Sequence, residues 1–155
     1  MSVEMALAEL SAQVGQEVHV SDWIEVTQSR IDAFAAATGD FQWIHTDPER
    51  AAKESPWRRT VAHGFLTLSL LPLLRGVAQG GEARFPGVRR IVNYGLNRVR
   101  FTNAVVEGAR VRARAKVVAV EPFRGGLQVT EEVTVEIDGQ GRPACVAETI
   151  ARLYF

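Results

Sequence analysis

Between Arg110 and Val117 polar and apolar residues alternate without a slip. Arg110, Arg112, Arg114 and Lys116 fall on one side of an extended chain and Val111, Ala113, Ala115 and Val117 on the other. This spacing predicts a strand with one wet face and one buried face. The same period of two sets Val129, Val133, Val135 and Ile137 against Thr130, Glu132, Thr134 and Glu136, and it returns in Cys145, Ala147, Ala151, Leu153 and Phe155. An earlier run from Asn93 to Arg100 makes a fourth strand, whose even positions Tyr94, Leu96, Arg98 and Arg100 are expected to share a face. Arg124-Gly125-Gly126 and Asp138-Gly139-Gln140-Gly141 lie between runs and are short enough for antiparallel hairpins.

The first half of the chain follows a helical period instead. After a short strand at Trp23-Ile24-Glu25-Val26, Thr27 is placed to cap a helix from about Gln28 to Thr38 with Ile31, Phe34 and Ala35 on one face, and Gly39 to end it. Asp47 and Pro48 open a second, short helix as N-cap and first helical residue. The residues between Gly39 and His45 are therefore expected to form a loop. From Gly64 to about Ala78 the chain is apolar nearly all round, which predicts a helix buried on every face, kinked at Pro72 because proline offers no N–H to the Leu68 carbonyl. Residues from Gly80 to Gly87 are turn-rich. One buried helix followed by a meander of one-sided strands predicts an α+β fold, a single domain over residues 1–155 with a curved antiparallel sheet around the helix. Such a sheet has an edge to cover, and a homodimer is the expected solution.

Composition narrows the function. Hydrophobic residues make up 46% and charged residues 23% of the chain, which is too apolar for a disordered protein. Eighteen basic and eighteen acidic side chains cancel, so net charge gives no reason to expect nucleic acid or an acidic membrane as partner. The apolar stretch from Val61 to Leu74 is interrupted by His63 and falls short of a membrane span, and no secretory signal opens the sequence, so a cytoplasmic address is expected. The one cysteine, Cys145, lies in a strand pattern and reads as a core position rather than a nucleophile.

Candidate chemistry centres on Asp40 and His45, since a turned loop brings a carboxylate and an imidazole together on one water. His63, with His45 and His19, makes no recognised metal-ligand spacing, and no metal site is expected. The segment from Ala36 through Thr38-Gly39-Asp40-Phe41-Gln42-Trp43-Ile44-His45-Thr46-Asp47-Pro48 to Ala52, followed by Ala62-His63-Gly64-Phe65-Leu66, resembles the signature of the MaoC-like (R)-specific enoyl-CoA hydratases of the hot-dog fold. The order and spacing extend from about Val14 to Phe155. Two positions depart from the usual Asp-x-Asn-Pro-aliphatic-His: Gln42 and Trp43 stand for Asn and Pro, as in a Gln-Trp-Ile-His variant subgroup. Pro72 stands where some members place an active-site serine.

The resemblance implies reversible addition of water to a trans-2-enoyl-CoA. Asp40 and His45 act on the water, and the Gly64 N–H receives the thioester oxygen at a helix start. It implies no cofactor beyond the coenzyme A carried by the acyl-CoA substrate. Gln42 is a candidate for positioning the loop or the water, His63 for bonding the Asp40 loop, and Arg98 for meeting coenzyme A phosphates. A hot-dog thioesterase and a noncatalytic acyl-CoA-binding subunit are the alternatives.

Overall fold

The computed structural model describes residues 2–76, 85 and 87–155. It opens with a helix absent from the expectations above, α1 (Val3–Ser11), capped by the Ser2 hydroxyl on the Met5 N–H, with Ala6 and Leu10 buried. Two short strands follow, β1 (Glu17–Val20) and β2 (Ile24–Glu25), then α2 (Gln28–Thr38), capped as expected by Thr27 and ended by Gly39 at φ 81°. The expected loop contains one helical turn, α3 (Trp43–Thr46), before α4 (Pro48–Glu54), which Asp47 caps through the Arg50 N–H.

The central apolar segment is two pieces rather than one kinked helix. α5 (Gly64–Ser69) and α6 (Leu71–Leu74) are separated at Leu70, two residues before Pro72. The break falls there because Pro72 cannot donate to the Leu68 carbonyl, and the turn tightens upstream of it. The segment is also not buried on every face: Phe65 is 69% exposed and meets the Phe101 ring edge-on. The expected extension toward Ala78, and residues 80–84 and 86 of the turn-rich segment, lie outside the described residues.

Four long strands complete the chain: β3 (Arg90–Phe101), β4 (Arg110–Phe123), β5 (Gly126–Ile137) and β6 (Cys145–Tyr154). All pairings are antiparallel, in the order β1-β4-β5-β6-β3, with β2 also on β4. The class is α+β, as expected. The alternation expected for β3 fails, because its ladder with β6 shifts between Asn93 and Gly95 and again between Leu96 and Arg98. Each shift adds a residue and turns the strand over. Leu96 consequently stands opposite Thr149 and Arg98 opposite the next residue, Glu148, on opposite faces of the sheet.

The inner face carries two hydrophobic clusters. One packs Leu66, Leu70, Leu71 and Leu74 of α5 and α6, with Ile31 of α2, on Val111, Ala113, Ala115, Val133, Val135, Cys145 and Ala147. The other packs Ala6 and Leu10 of α1 on Val117, Leu127, Val129 and Leu153. Each helix covers one half of the strands' length. Between them, Glu131 occupies an inward position of β5 and is buried with Arg75. No helix among the described residues is long and apolar enough to cross a membrane.

Candidate active site

Local chemistry of the chain fixes the segment that carries Asp40 and His45. Gly39 takes the left-handed conformation that ends α2, its N–H bonding the Ala35 carbonyl. Asp40 then accepts the Gln42 N–H on Oδ1 at 3.3 Å, an Asx turn that starts α3. The Gln42 carbonyl accepts the His45 N–H at 2.9 Å and the Thr46 hydroxyl at 3.3 Å. Gln42 thus holds the turn through its backbone, while its side chain is exposed. Trp43 opens α3 where the usual signature has proline, and Arg50 lies over its ring at 4.4 Å.

His45 is buried and Asp40 is half exposed. The His45 Nδ1 lies 2.6 Å from the Val61 carbonyl oxygen. A carbonyl only accepts, so Nδ1 carries the proton and Nε2 of the neutral ring is a lone pair. Burial holds the imidazole below its usual value, reinforced by the neighbouring His63 and opposed by the Val61 carbonyl and the Asp40 carboxylate. His63, itself 2% exposed, lies flat on His45 with ring centres 3.8 Å apart. Its Nε2 donates to the Asp40 backbone carbonyl at 2.9 Å and stands 4.0 Å from Oδ2, and its Nδ1 has no partner among the described residues.

One ligand-type atom from each of Asp40, His45 and His63 lies within 4.8 Å of the others. The third member of any such set is therefore Asp40 and not His19, whose Nε2 meets the Leu74 carbonyl at 2.8 Å. The His63 Nε2 is already engaged by the Asp40 carbonyl, which leaves the Asp40 carboxylate and the His45 Nε2 lone pair as the groups that face a small polar molecule there.

Sequence reasoning missed Gln28. Its amide donates to the His45 carbonyl at 2.8 Å and its Oε1 accepts the Thr60 hydroxyl, tying α2, α3 and the strap before His63 together. Its place in the first turn of α2 was visible, but nothing in the sequence marks a partner 17 residues away. Gly64 is the first residue of α5, covalently next to His63. A Cβ there would lie 2.8 and 2.9 Å from two carbons of the Phe101 ring, so any other residue would have to displace that ring, whatever else the Gly64 N–H does. Gly64 also lines a hollow of about 420 Å³ with Trp57, Thr67, Phe101 and Asn103. Arg98, by contrast, is exposed on the outer face of β3 and lines neither this hollow nor the larger cavity beside Leu68. Neither space is lined by Asp40 or His45. The buried Cys145 thiol is pushed up to about 11 by desolvation, which leaves it protonated and inert.

Residues 9–139 match the MaoC like domain family. The 3-hydroxyacyl-thioester dehydratase Z of Mycobacterium tuberculosis is 49% identical over 148 residues, which cover 95% of each chain. Nodulation protein N of Rhizobium leguminosarum bv. viciae is 47% identical over 160 residues, covering 98% of this chain and 93% of that one. Among solved structures, the (R)-hydratase from A. caviae superposes with a TM-score of 0.71 at 27% identity, covering 90% of this chain and 96% of that one. A match this long, carried by relatives this similar and by the same sheet and helix arrangement, means that the chain belongs to the MaoC-like dehydratase family and is a hot-dog-fold enzyme of its hydratase/dehydratase type.

Proposed function

We propose that the protein adds water reversibly to a trans-2-enoyl-CoA to give the (R)-3-hydroxyacyl-CoA, with Asp40 and His45 acting on one water. The observation that carries this reading is the fixed tautomer of His45. Its proton is committed to Val61, its Nε2 is free to accept, and the Asp40 carboxylate lies close enough to hold the same water. His45 takes a proton from the water while Asp40 orients it. The oxygen bonds to C3, the C2=C3 π electrons move toward the thioester, and the oxygen charge that develops there is met by the Gly64 N–H at the start of α5. The proton held on His45 then passes to C2, and dehydration runs the same steps in reverse. His63 is the positioning residue, bonded to the Asp40 backbone and stacked on His45. Gln42 contributes its backbone to the same turn, and Arg98 is available only to a coenzyme A phosphate that reaches the outer face of β3.

The names of the A. caviae (R)-hydratase and the mycobacterial 3-hydroxyacyl-thioester dehydratase support the reaction, its hand and a thioester substrate. We further propose that the enzyme works in the cytoplasm and as a homodimer; for the second copy, the support is that the half-exposed Asp40 leaves the site open to solvent in a single chain. The test is loss of enoyl absorbance on crotonyl-CoA with the wild type, Asp40→Asn and His45→Gln. Wild-type turnover that falls by about 10²-fold or more in each variant is expected. Release of free thiol in place of hydration would establish a thioesterase instead.

A further inference from the structure

A cavity of about 550 Å³ lies between α5 and α6 and the inner face of the sheet, at the seam of the two hydrophobic clusters. Leu68, Leu71, Pro72, Ile91 and Leu153 make most of it apolar. Arg75 and Glu131 also line it, and both are buried. Arg75 Nη1 meets Glu131 Oε2 at 2.6 Å and Nη2 meets Oε1 at 2.9 Å. This end-on fork uses both terminal nitrogens and leaves Nε turned away from the carboxylate, in a side chain only 7% exposed, with no hydrogen-bond partner among the described residues. A buried, cationic N–H without an acceptor is costly, and native structures rarely leave one so unless something else fills the place.

The cavity begins at Leu68, four residues beyond Gly64, and Arg75 is eleven residues beyond it. At 1.5 Å per residue that is about 6 Å and at most about 17 Å along the helical segment. Building on the hydratase reading above, we propose that this cavity takes the acyl tail of the substrate, and that Arg75 Nε selects tails bearing a hydrogen-bond acceptor, a keto, hydroxyl or carboxylate oxygen, over plain alkyl chains. A tail with such an oxygen at the right depth completes the guanidinium's hydrogen bonds. A plain chain of equal length strips the cavity of water and leaves Nε unpaired, and sites built on a buried polar group reject a ligand that cannot satisfy it.

The test compares kcat/KM for trans-2-enoyl-CoAs of equal chain length, one unsubstituted and the others carrying a keto or hydroxyl oxygen at successive positions toward the chain end. In the wild type, one position is expected to be preferred over the plain chain by about tenfold or more. The preference is expected to fall to about twofold or less in Arg75→Lys, which keeps a charge for Glu131 but lacks the Nε donor. The same fall is expected in the double variant Arg75→Leu with Glu131→Leu, which replaces the pair by apolar groups without stranding a charge. Wild-type turnover with no preference at any position overturns the selection by Arg75 and leaves the hydratase reading standing. A preference that survives in both variants also overturns it. No turnover of any thioester overturns the hydratase reading and this inference with it.

Discussion

At the scale of single residues, the protonation of His45 would link stability to the activity proposed above. Burial lowers its folded value from the usual imidazole value of about 6.5. In the unfolded chain the ring protonates as pH falls through that usual value, while in the folded protein it stays neutral until a lower pH. The unfolded state therefore binds more protons in the interval, and stability is lost as pH falls through it. The same shift keeps Nε2 basic in mildly acidic solution. A proton NMR titration is expected to give a His45 midpoint below the usual value, lowered further by Asp40→Asn, because Asp40 is one of the groups that raise it. A midpoint that rises in Asp40→Asn would contradict the electrostatic arrangement. Gly64 raises a separable question, since its packing and the role proposed for its N–H involve different atoms. Gly64→Ala pushes a methyl group into the Phe101 ring, which is 44% exposed and free to move aside. A stability loss of about 1 kcal/mol in chemical denaturation is expected. The double variant with Phe101→Ala is expected to recover that stability. If kcat/KM returns together with stability in the double variant, the glycine serves packing alone.

At the scale of elements, Gly126 fixes the register of the longest hairpin. Phe123 pairs with Gly126 across the two-residue turn Arg124-Gly125, with Gly125 at φ 110°. A Cβ on Gly126 would stand 1.9 Å from the Leu153 carbonyl oxygen, which is backbone held in the β5–β6 ladder. Gly126→Ala is expected to cost about 3 kcal/mol or more in urea unfolding, well above the cost at Gly64, because no side chain can yield. β4, β5 and β6 were legible because each has one wet and one buried face, so a period of two survives in the sequence. Caps at Thr27, Gly39 and Asp47 were legible because they are local chemistry. The strand β3 was misread because its bulges are set by pairing with β6, which no local pattern records. The short α3 was hidden because a single turn is too brief to show a period, and Gln28 because its partners are distant in sequence. Glu131 was passed over although it breaks the inward phase of β5, a signal that a buried cation would have to answer.

At the scale of the whole molecule, β3 is paired on one side only among the described residues, with β6, over its 12 residues. Tyr94, Leu96 and Phe101 on it are 54%, 46% and 44% exposed, and Phe65 beside Phe101 is more exposed still. A long edge carrying exposed apolar side chains is one that proteins cover. A second copy related by a two-fold axis would set the same strand antiparallel to itself and cover both edges with one interface. It would also bring a second surface toward α5, where Phe65 is exposed and Gly64 lines its hollow. Sedimentation velocity is expected to give twice the single-chain mass for the wild type and a single-chain mass for Leu96→Glu combined with Phe101→Glu, since four carboxylates then meet across the axis. Circular dichroism should show the variant chain still folded, because neither residue belongs to the two buried clusters. Hydration of crotonyl-CoA is expected to fall with dissociation and to recover in part as protein concentration is raised. A wild type that sediments as a single chain with full activity would mean that one copy closes its own site.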